Sequence, residues 1–137
     1  MSLADPIRVL VADDSPTALR SVCEYLEFAG GFEIVGTASD GQNAVHLAAL
    51  RKPDLVLLDL SMPRVNGLEA AEQIRLSSPD LRVIIFSELH GLSLADECRR
   101  HGADSFVPKS LLPEGLLMEI QRLFSRVRSD QAGMDNN

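Results

Sequence analysis

The sequence has no tryptophan, one tyrosine and only two cysteines among its 137 residues. Cys23 and Cys98 lie far apart in helix-like segments, so their spacing indicates neither a zinc site nor a disulfide framework. No apolar run approaches the length of a membrane span, and the N-terminus lacks the basic and apolar regions of a signal peptide. We therefore expect a cytoplasmic protein that folds without disulfides or a structural metal.

Basic residues are also few, since 13 lysines and arginines stand against 20 acids and give a formal net charge of −7. An acidic surface repels phosphate backbones and anionic lipids, which disfavours nucleic acid or a membrane as the direct partner. With 45% hydrophobic residues, the chain can bury the core of one domain. We assign that domain to residues 7–126, with residues 1–6 as a disordered or cloning-derived N-terminus and 127–137 as a disordered tail or the start of a linker.

Five β-branched apolar runs alternate with five helix-length amphipathic segments. The predicted strands are Ile7–Ala12, Ile34–Ala38, Leu55–Leu58, Val83–Phe86 and Ser105–Val107. The predicted helices are Pro16–Phe28, Gly41–Leu50, Leu68–Leu76, Ser93–His101 and Pro113–Arg126. The fourth strand is apolar at every position, as in a parallel sheet covered on both faces. The pattern predicts an α/β fold, a doubly wound three-layer sandwich.

Residue types at the helix ends agree with these boundaries. Ser15-Pro16 places proline at a first helical turn, and Asp40 can cap the helix that follows it. Gly30-Gly31 and Gly102 stand where helices 1 and 4 should stop.

Polar residues gather where the predicted strands end. Strand 1 is followed by Asp13 and Asp14, strand 3 by Asp59 and strand 4 by Ser87, and strand 5 runs into Lys109. In an open α/β sheet, ligands bind just beyond the carboxyl ends of the strands. We therefore expect three carboxylates, one hydroxyl and one lysine to converge there.

Three carboxylates in one pocket repel one another unless a cation lies among them. An all-oxygen ligand set favours Mg²⁺, or Mn²⁺ in its place, over zinc. With the charge neutralised, Asp59 can attack a phosphoryl group while Lys109 and Ser87 donate to its oxygens. Singly, these residues are also explained as helix-start acids or surface charges, but their joint position at strand ends favours a phosphoryl site.

Over roughly residues 7–124, the chain resembles the receiver domains of two-component response regulators, including the chemotaxis regulators. The resemblance rests on the acid pair Asp13-Asp14, the run Asp59-Leu-Ser-Met-Pro-Arg-Val-Asn-Gly67, Ser87, and Phe106 with Lys109. It implies a flavodoxin-like (βα)5 fold with a five-stranded parallel sheet in the order 2-1-3-4-5. It also implies a phosphorylation switch, a signalling domain that catalyses its own phosphorylation and slow dephosphorylation.

The resemblance implies a role for each of these residues. Asp59 would be the phosphoacceptor, Lys109 would bind the phosphate, and Ser87 with Phe106 would form the switch. The implied Mg²⁺ ligands are Asp13, Asp14, Asp59 and the backbone carbonyl of Ser61. A histidine kinase or histidine phosphotransfer protein would supply the phosphoryl group. A downstream partner or dimer mate would bind through helix 4, strand 5 and helix 5.

Two positions depart from the family pattern. Glu88 follows the switch hydroxyl where a small residue is usual, and its charge is expected to hinder an incoming phosphodonor. Ser110 follows Lys109 where proline is common, so the cis peptide bond expected after the lysine is not assured.

Two other functions fit parts of the pattern. A phosphatase of the haloacid-dehalogenase type needs a second aspartate two residues after the nucleophile, but Ser61 and Ser15 stand at that spacing from Asp59 and Asp13. A pseudo-receiver that binds partners without phosphorylation would normally have lost an acid or the lysine. Both a stand-alone receiver and the front part of a larger regulator are compatible with the sequence.

Overall fold

Five strands form one parallel sheet in the order β2-β1-β3-β4-β5 in the computed structural model, which describes residues 5–89 and 91–135, with side chains as far as residue 125. The strands are β1 (Ile7–Ala12), β2 (Phe32–Ala38), β3 (Leu55–Asp59), β4 (Arg82–Ser87) and β5 (Ser105–Pro108). The helices are α1 (Pro16–Ala29), α2 (Gly41–Arg51), α3 (Gly67–Ser77), α4 (Leu92–Arg100) and α5 (Glu114–Asp135). This arrangement confirms the predicted flavodoxin-like, doubly wound (βα)5 sandwich.

The structure differs from the sequence prediction mainly around β5 and α5. A short 3-10 helix, Lys109–Leu111, follows β5 and was not predicted. Pro113 was expected in the first turn of helix 5, but α5 begins at Glu114 and the Leu112–Pro113 peptide bond is cis. Helix α5 also continues to Asp135, beyond the predicted end near residue 126. Residues 1–4 and 136–137, parts of the predicted terminal segments, lie outside the described residues.

The predicted helix caps are present. The side chain of Ser15 accepts a hydrogen bond from the amide of Ala18 at 3.2 Å, and that of Asp40 accepts one from Asn43 at 2.8 Å. Gly30 follows α1 with φ of 80°, a left-handed conformation that glycine adopts without a steric penalty. The caps fix where α1 and α2 begin, and therefore where the chain crosses the carboxyl edge of the sheet.

The sheet separates two apolar clusters because successive side chains of each strand point to opposite faces. One cluster packs under α1 and α5 and contains Val9, Val11, Leu57, Ile84, Phe86, Leu26 and Ile120. The other packs under α2, α3 and α4 and contains Leu10, Val56, Leu58, Ile85, Ala70, Ile74 and Cys98. All five residues of β3 are buried. Each large apolar side chain buried in this way contributes about 1.5–3 kcal/mol, so the strand that ends in Asp59 is held at the centre of the core.

Helix α4 is held differently at its two ends. Gly91 precedes it and makes no side-chain cap hydrogen bond. After its last turn, the carbonyl of Gly102 accepts hydrogen bonds from Nε and Nη2 of Arg75, on α3, at 3.1 and 2.9 Å. The same guanidinium donates to the carbonyls of Pro79 and Leu81 at 2.7 and 2.6 Å. Arg75 therefore ties the carboxyl end of α4 to α3 and to the loop before β4.

None of the described helices combines the length and the apolar character needed to cross a bilayer.

Candidate functional site

The carboxyl edge of the sheet brings three acids together. Asp13 follows β1 and Asp59 ends β3, and both are buried, with 1% and 6% of their surface exposed. Asp14 is exposed beside them. One carboxylate oxygen from each of the three acids lies within 4.8 Å of the others. The cluster that was expected from the strand ends is thus formed in the fold.

Lys109 reaches this cluster from the end of β5. Its Nζ atom lies 2.9 Å from Oδ2 of Asp13 and 3.5 Å from Oδ1 of Asp59. The ammonium also stands 5.2 Å from the centre of the Phe86 ring. Burial lowers the pKa of Lys109, but its hydrogen bond to Asp13 and the charges of Asp59 and Asp13 outweigh burial and raise the pKa above its ordinary value. The lysine is therefore a fixed cation between the two buried acids.

Asp59 titrates unusually for an aspartate. Burial, followed by the charge of Asp13, raises the pKa of Asp59 to about 6, although Lys109 acts in the opposite direction. A carboxyl with this pKa is mostly ionised at pH 7, which a nucleophile requires, and it carries a proton in mildly acidic solution. Without a bound metal, the carboxyl of Asp59 is therefore mainly ionised only above the mildly acidic range.

The charges of the site do not balance. Three carboxylates face one ammonium, so two negative charges remain uncompensated within the cluster. Oδ1 of Asp13 accepts a hydrogen bond from the amide of Ser15 at 2.9 Å, which orients that carboxylate. An oxygen-only donor set with excess negative charge fits a hard divalent cation such as Mg²⁺ better than zinc. Ser61, whose carbonyl was expected to be a further ligand, is exposed two residues after Asp59.

Ser87 and Phe106 occupy neighbouring strands beside the acids. Ser87 ends β4 with 2% of its surface exposed, and its Oγ accepts a hydrogen bond from the amide of Leu89 at 3.0 Å. The hydroxyl proton remains available for donation. Phe106 pairs in register with Ile85 of β4 and packs, half-buried, against the apolar cluster under α2, α3 and α4. The two residues of the predicted switch therefore lie on neighbouring strands, Ser87 at the carboxyl edge of the sheet and Phe106 against that apolar cluster.

Glu88 is exposed directly after Ser87. Its charge is one of those that raise the pKa of Lys109, so this acid acts on the ammonium of the site. The position that departs from the family pattern thus adds negative potential at the entrance.

The loop between β3 and α3 is supported by contacts that the sequence did not reveal. A Cβ atom added to Gly67 would lie 2.6 Å from the carbonyl oxygen of Asp59, so only glycine fits there. A Cβ atom added to Gly41, at the start of α2, would lie 1.7 Å from the carbonyl oxygen of Val65. Arg64 of this loop also pairs with Asp40 at 3.8 Å. The sequence shows a glycine directly after the capping residue Asp40, which indicates a close approach of another segment. It does not show that this segment is Val65, which is distant in sequence.

Gly41→Ala should destabilise the domain by about 2–3 kcal/mol, because the new methyl group must displace either α2 or the loop that follows Asp59. Urea unfolding monitored by circular dichroism measures this change. Gln42 is the next residue of the same helix and is exposed to solvent. The free energy of unfolding of Gln42→Ala should therefore stay within about 0.5 kcal/mol of that of the unmodified protein. Equal stabilities of the two variants would show that the loop is not packed against α2 as described.

The fold and the acidic edge with its lysine define a flavodoxin-like α/β domain with a polar site at its strand ends, and comparison with known proteins identifies the family. The model of the response regulator receiver domain matches residues 9–121. The chain belongs to the receiver-domain family of two-component response regulators.

Curated relatives support the same conclusion. The chain is 38% identical over 125 residues to the transcriptional regulatory protein PdtaR of Mycobacterium tuberculosis, and the aligned region covers 91% of this chain and 60% of that protein. It is 34% identical over 122 residues to the nitrate/nitrite response regulator protein NarL of Escherichia coli, with 89% and 56% covered. The chain therefore spans somewhat more than half the length of these two relatives.

Solved structures show the same fold. The signal receiver domain of the putative response regulator NarL from Mycobacterium tuberculosis superposes with a TM-score of 0.82 at 28% identity, covering 88% of this chain and 97% of that one. A chain of the CheX-CheY-BeF3-Mg²⁺ complex from Borrelia burgdorferi superposes with a TM-score of 0.81 at 30% identity, covering 87% and 90%.

Proposed function

We propose that this receiver domain accepts a phosphoryl group on Asp59 from a histidine kinase or a histidine phosphotransfer protein, in a reaction that depends on Mg²⁺. The aspartyl phosphate then changes the surface formed by α4, β5 and α5, where a downstream partner or a dimer mate binds. The observation that carries the proposal is the position of Lys109, whose ammonium contacts both Asp13 and Asp59 in a buried acidic cluster.

The residues of the chain have distinct parts in this transfer. An oxygen of Asp59 forms a bond to phosphorus while the bond between phosphorus and the donor's histidine nitrogen breaks. Lys109 and the hydroxyl of Ser87 donate to the phosphoryl oxygens, and charge-assisted donors of this kind are the strong ones. Because phosphoryl transfer depends on positioning and charge compensation, these buried and oriented groups supply most of what the reaction needs.

Mg²⁺ would be held by Asp13, Asp14, Asp59 and the backbone carbonyl of Ser61, and Mn²⁺ can replace it in such an oxygen-rich site. When bound, the ion compensates negative charge on the acids and on the phosphoryl oxygens. The two uncompensated charges of the cluster are the structural reason to expect it.

Incubation with a phosphorylated histidine kinase and Mg²⁺ should add one phosphoryl group, detected by intact-protein mass spectrometry. Asp59→Asn keeps the size of the side chain but removes the nucleophilic oxygen, so we expect no incorporation. Asp54→Asn, an exposed acid at the other edge of the sheet, should retain full incorporation. If Asp59→Asn still accepts one phosphoryl group, the assignment of the phosphoacceptor is wrong.

Asp14→Ala should weaken Mg²⁺ binding by more than about tenfold, since it removes one of the few charged ligands of a modest site. Isothermal calorimetry of the metal-free protein measures the affinity. The same variant should melt at a higher temperature without metal, because a repelled charge is lost. Asp80→Ala removes an exposed acid away from the cluster and should change neither quantity. Unchanged Mg²⁺ affinity in Asp14→Ala would remove the cluster as the metal site.

The switch part of the proposal rests on Ser87 and Phe106. New phosphoryl oxygens attract the Ser87 hydroxyl, and its movement vacates space that the Phe106 ring can fill, because cores retain few voids. The ring has no hydroxyl to anchor it at the surface, so packing alone sets its position. Beryllium fluoride with Mg²⁺ should therefore shift NMR signals along α4, β5 and α5 in the unmodified protein and not in Asp59→Asn. Shifts confined to the acidic pocket would contradict this mechanism.

A pseudo-receiver is the second candidate, because Glu88 places an extra negative charge at the entrance of the site. Its expected behaviour is partner binding without phosphoryl uptake, and the incorporation experiment separates the two. Haloacid-dehalogenase chemistry is disfavoured because the positions two residues after Asp59 and Asp13 are serines.

A further inference from the structure

An apolar groove of about 510 Å³ lies between the end of α1 and the start of α5. Its apolar lining comes from Tyr25 and Phe28 of α1 and from Pro113 and Leu117 of the α5 segment. Phe28 is 94% exposed, more than any other large apolar side chain of the described residues. An aromatic ring left in water beside an apolar groove is typical of a binding surface, because covering it removes apolar area from water.

The rim of this groove is acidic. Glu24 and Glu114 line it from the two helices, and they are the only charged residues among its described lining. Glu27, exposed next to Phe28, adds a third negative charge at the end of α1. An occupant must therefore combine large apolar side chains with basic neighbours.

The same charges argue against a second copy of this chain as the occupant. A symmetric dimer through the groove would bring the same patch of both copies together, and so would place Glu24 and Glu114 opposite acids of their own kind. Like charges at an interface are unfavourable, and the whole chain carries a net charge of −7.

Phe28, at one end of the groove, also lies far from the proposed phosphorylation site. Helix α1 begins at Pro16, just after Asp13 and Asp14, and its 14 residues span about 20 Å to the end that carries Phe28. Phe106 packs on the opposite face of the sheet, in the cluster under α2, α3 and α4. The Phe28 end of the groove is therefore distant from the acidic site, and the groove lies on the face of the sheet opposite Phe106.

We propose that this groove binds a basic amphipathic helix of another protein, with an apolar side chain of that helix packed against Phe28, Tyr25 and Leu117 and its lysines or arginines facing Glu24, Glu27 and Glu114. Two helices with a groove between them accept a third helix in the common helix-in-groove arrangement. The aromatic ring is the expected main contributor to affinity, and the acids set the sign of the partner's charge.

A synthetic helical peptide with leucines on one face and lysines on the other tests this inference by titration into the nitrogen-15-labelled full chain. We expect NMR shifts at Tyr25, Phe28 and Leu117 that weaken as salt is added. Phe28→Ser should weaken binding by about tenfold or more, and Glu24→Lys should also weaken it. Phe28 is exposed, so its replacement leaves the fold intact.

Matched substitutions elsewhere serve as controls. Leu76→Ser removes another exposed apolar side chain, 85% exposed at the end of α3, and Asp80→Lys makes the same charge change as Glu24→Lys. Both should leave peptide binding within about twofold. Asp59→Asn should bind equally well, so the result does not depend on the proposed phosphorylation.

Three outcomes would overturn the inference. One is equal binding of a peptide in which glutamate replaces every lysine. Another is a set of NMR shifts that lie outside the end of α1 and the start of α5. The third is self-association of the free chain, measured by sedimentation, that Phe28→Ser abolishes, since a second copy would then occupy the groove.

Discussion

Lys109→Met should slow phosphorylation of Asp59 by about 100-fold or more, because it removes a preoriented cation from the place where negative charge develops. Methionine retains the apolar stem beside Phe86, so the change is chiefly the loss of the ammonium. The rate is measured by single-turnover transfer from a phosphorylated kinase at saturating Mg²⁺. At saturating Mg²⁺, a change in metal affinity does not alter the measured rate of phosphoryl transfer.

The same variant should lose about 2–4 kcal/mol of stability at pH 8, since it leaves Asp13 and Asp59 buried and ionised without their shared partner. The loss should be smaller at pH 5, because Asp59 then carries a proton and the repulsion falls. Urea unfolding in the presence of a chelator gives both values.

Lys52→Met is the matched control, since Lys52 is the only other lysine and lies exposed at the end of α2. It should stay within about 0.5 kcal/mol in stability and transfer phosphate at the normal rate. A Lys109→Met protein that is phosphorylated as fast as the Lys52→Met protein would show that the ammonium has no part in the transfer.

Asp59→Asn should make the metal-free domain more stable than the unmodified protein by roughly 1–3 kcal/mol at pH 8, with little difference near pH 4. The pKa of Asp59 rises from an ordinary 3.8 to about 6 in the folded state, mainly because of burial and of Asp13. A raised carboxyl pKa means that the folded state holds the proton more tightly than the unfolded chain. The stabilisation that this proton gives to the folded state is complete below the ordinary pKa of 3.8, and it is lost as the pH rises through about 6.

Chemical unfolding of both proteins at a series of pH values measures this difference, since all other acids are shared by the two. Asp80→Asn, which neutralises an exposed acid, should show no comparable gain at pH 8. Mg²⁺ should then stabilise the unmodified protein more than Asp59→Asn, because the loss of one charged ligand weakens binding to the folded state and so reduces the shift in unfolding. A difference that is the same at pH 4 and pH 8 would contradict the titration of Asp59 in this range.

The fold was predictable because its central strands are buried on both faces. An uninterrupted apolar run such as Val83–Phe86 has few alternatives to a central parallel strand, and helix caps such as Asp40 mark the neighbouring boundaries. The region after β5 was harder. Lys109–Leu111 carries no pattern that distinguishes a 3-10 turn from a loop, and a proline signal placed the start of helix 5 one residue early.

The site was predictable to the extent that strand ends dictate it. Asp13, Asp59 and Lys109 each follow or end a strand, and parallel strands deliver their ends to one edge. The sequence did not predict the hydrogen bond between Lys109 and Asp13, because it joins side chains 96 positions apart. The close approach of Gly41 to Val65 was hidden for the same reason.

Helix α4 has one fixed end and one loose end, and this asymmetry determines how it can move. Arg75 immobilises the chain at Gly102, whereas the amino-terminal end begins after Gly91 without a side-chain cap. We therefore expect any displacement of α4 to be a pivot about Gly102, with its largest amplitude at Leu92. Leu92 is 88% exposed, so such a pivot would change the position of an apolar side chain at the surface more than that of any other residue of the helix.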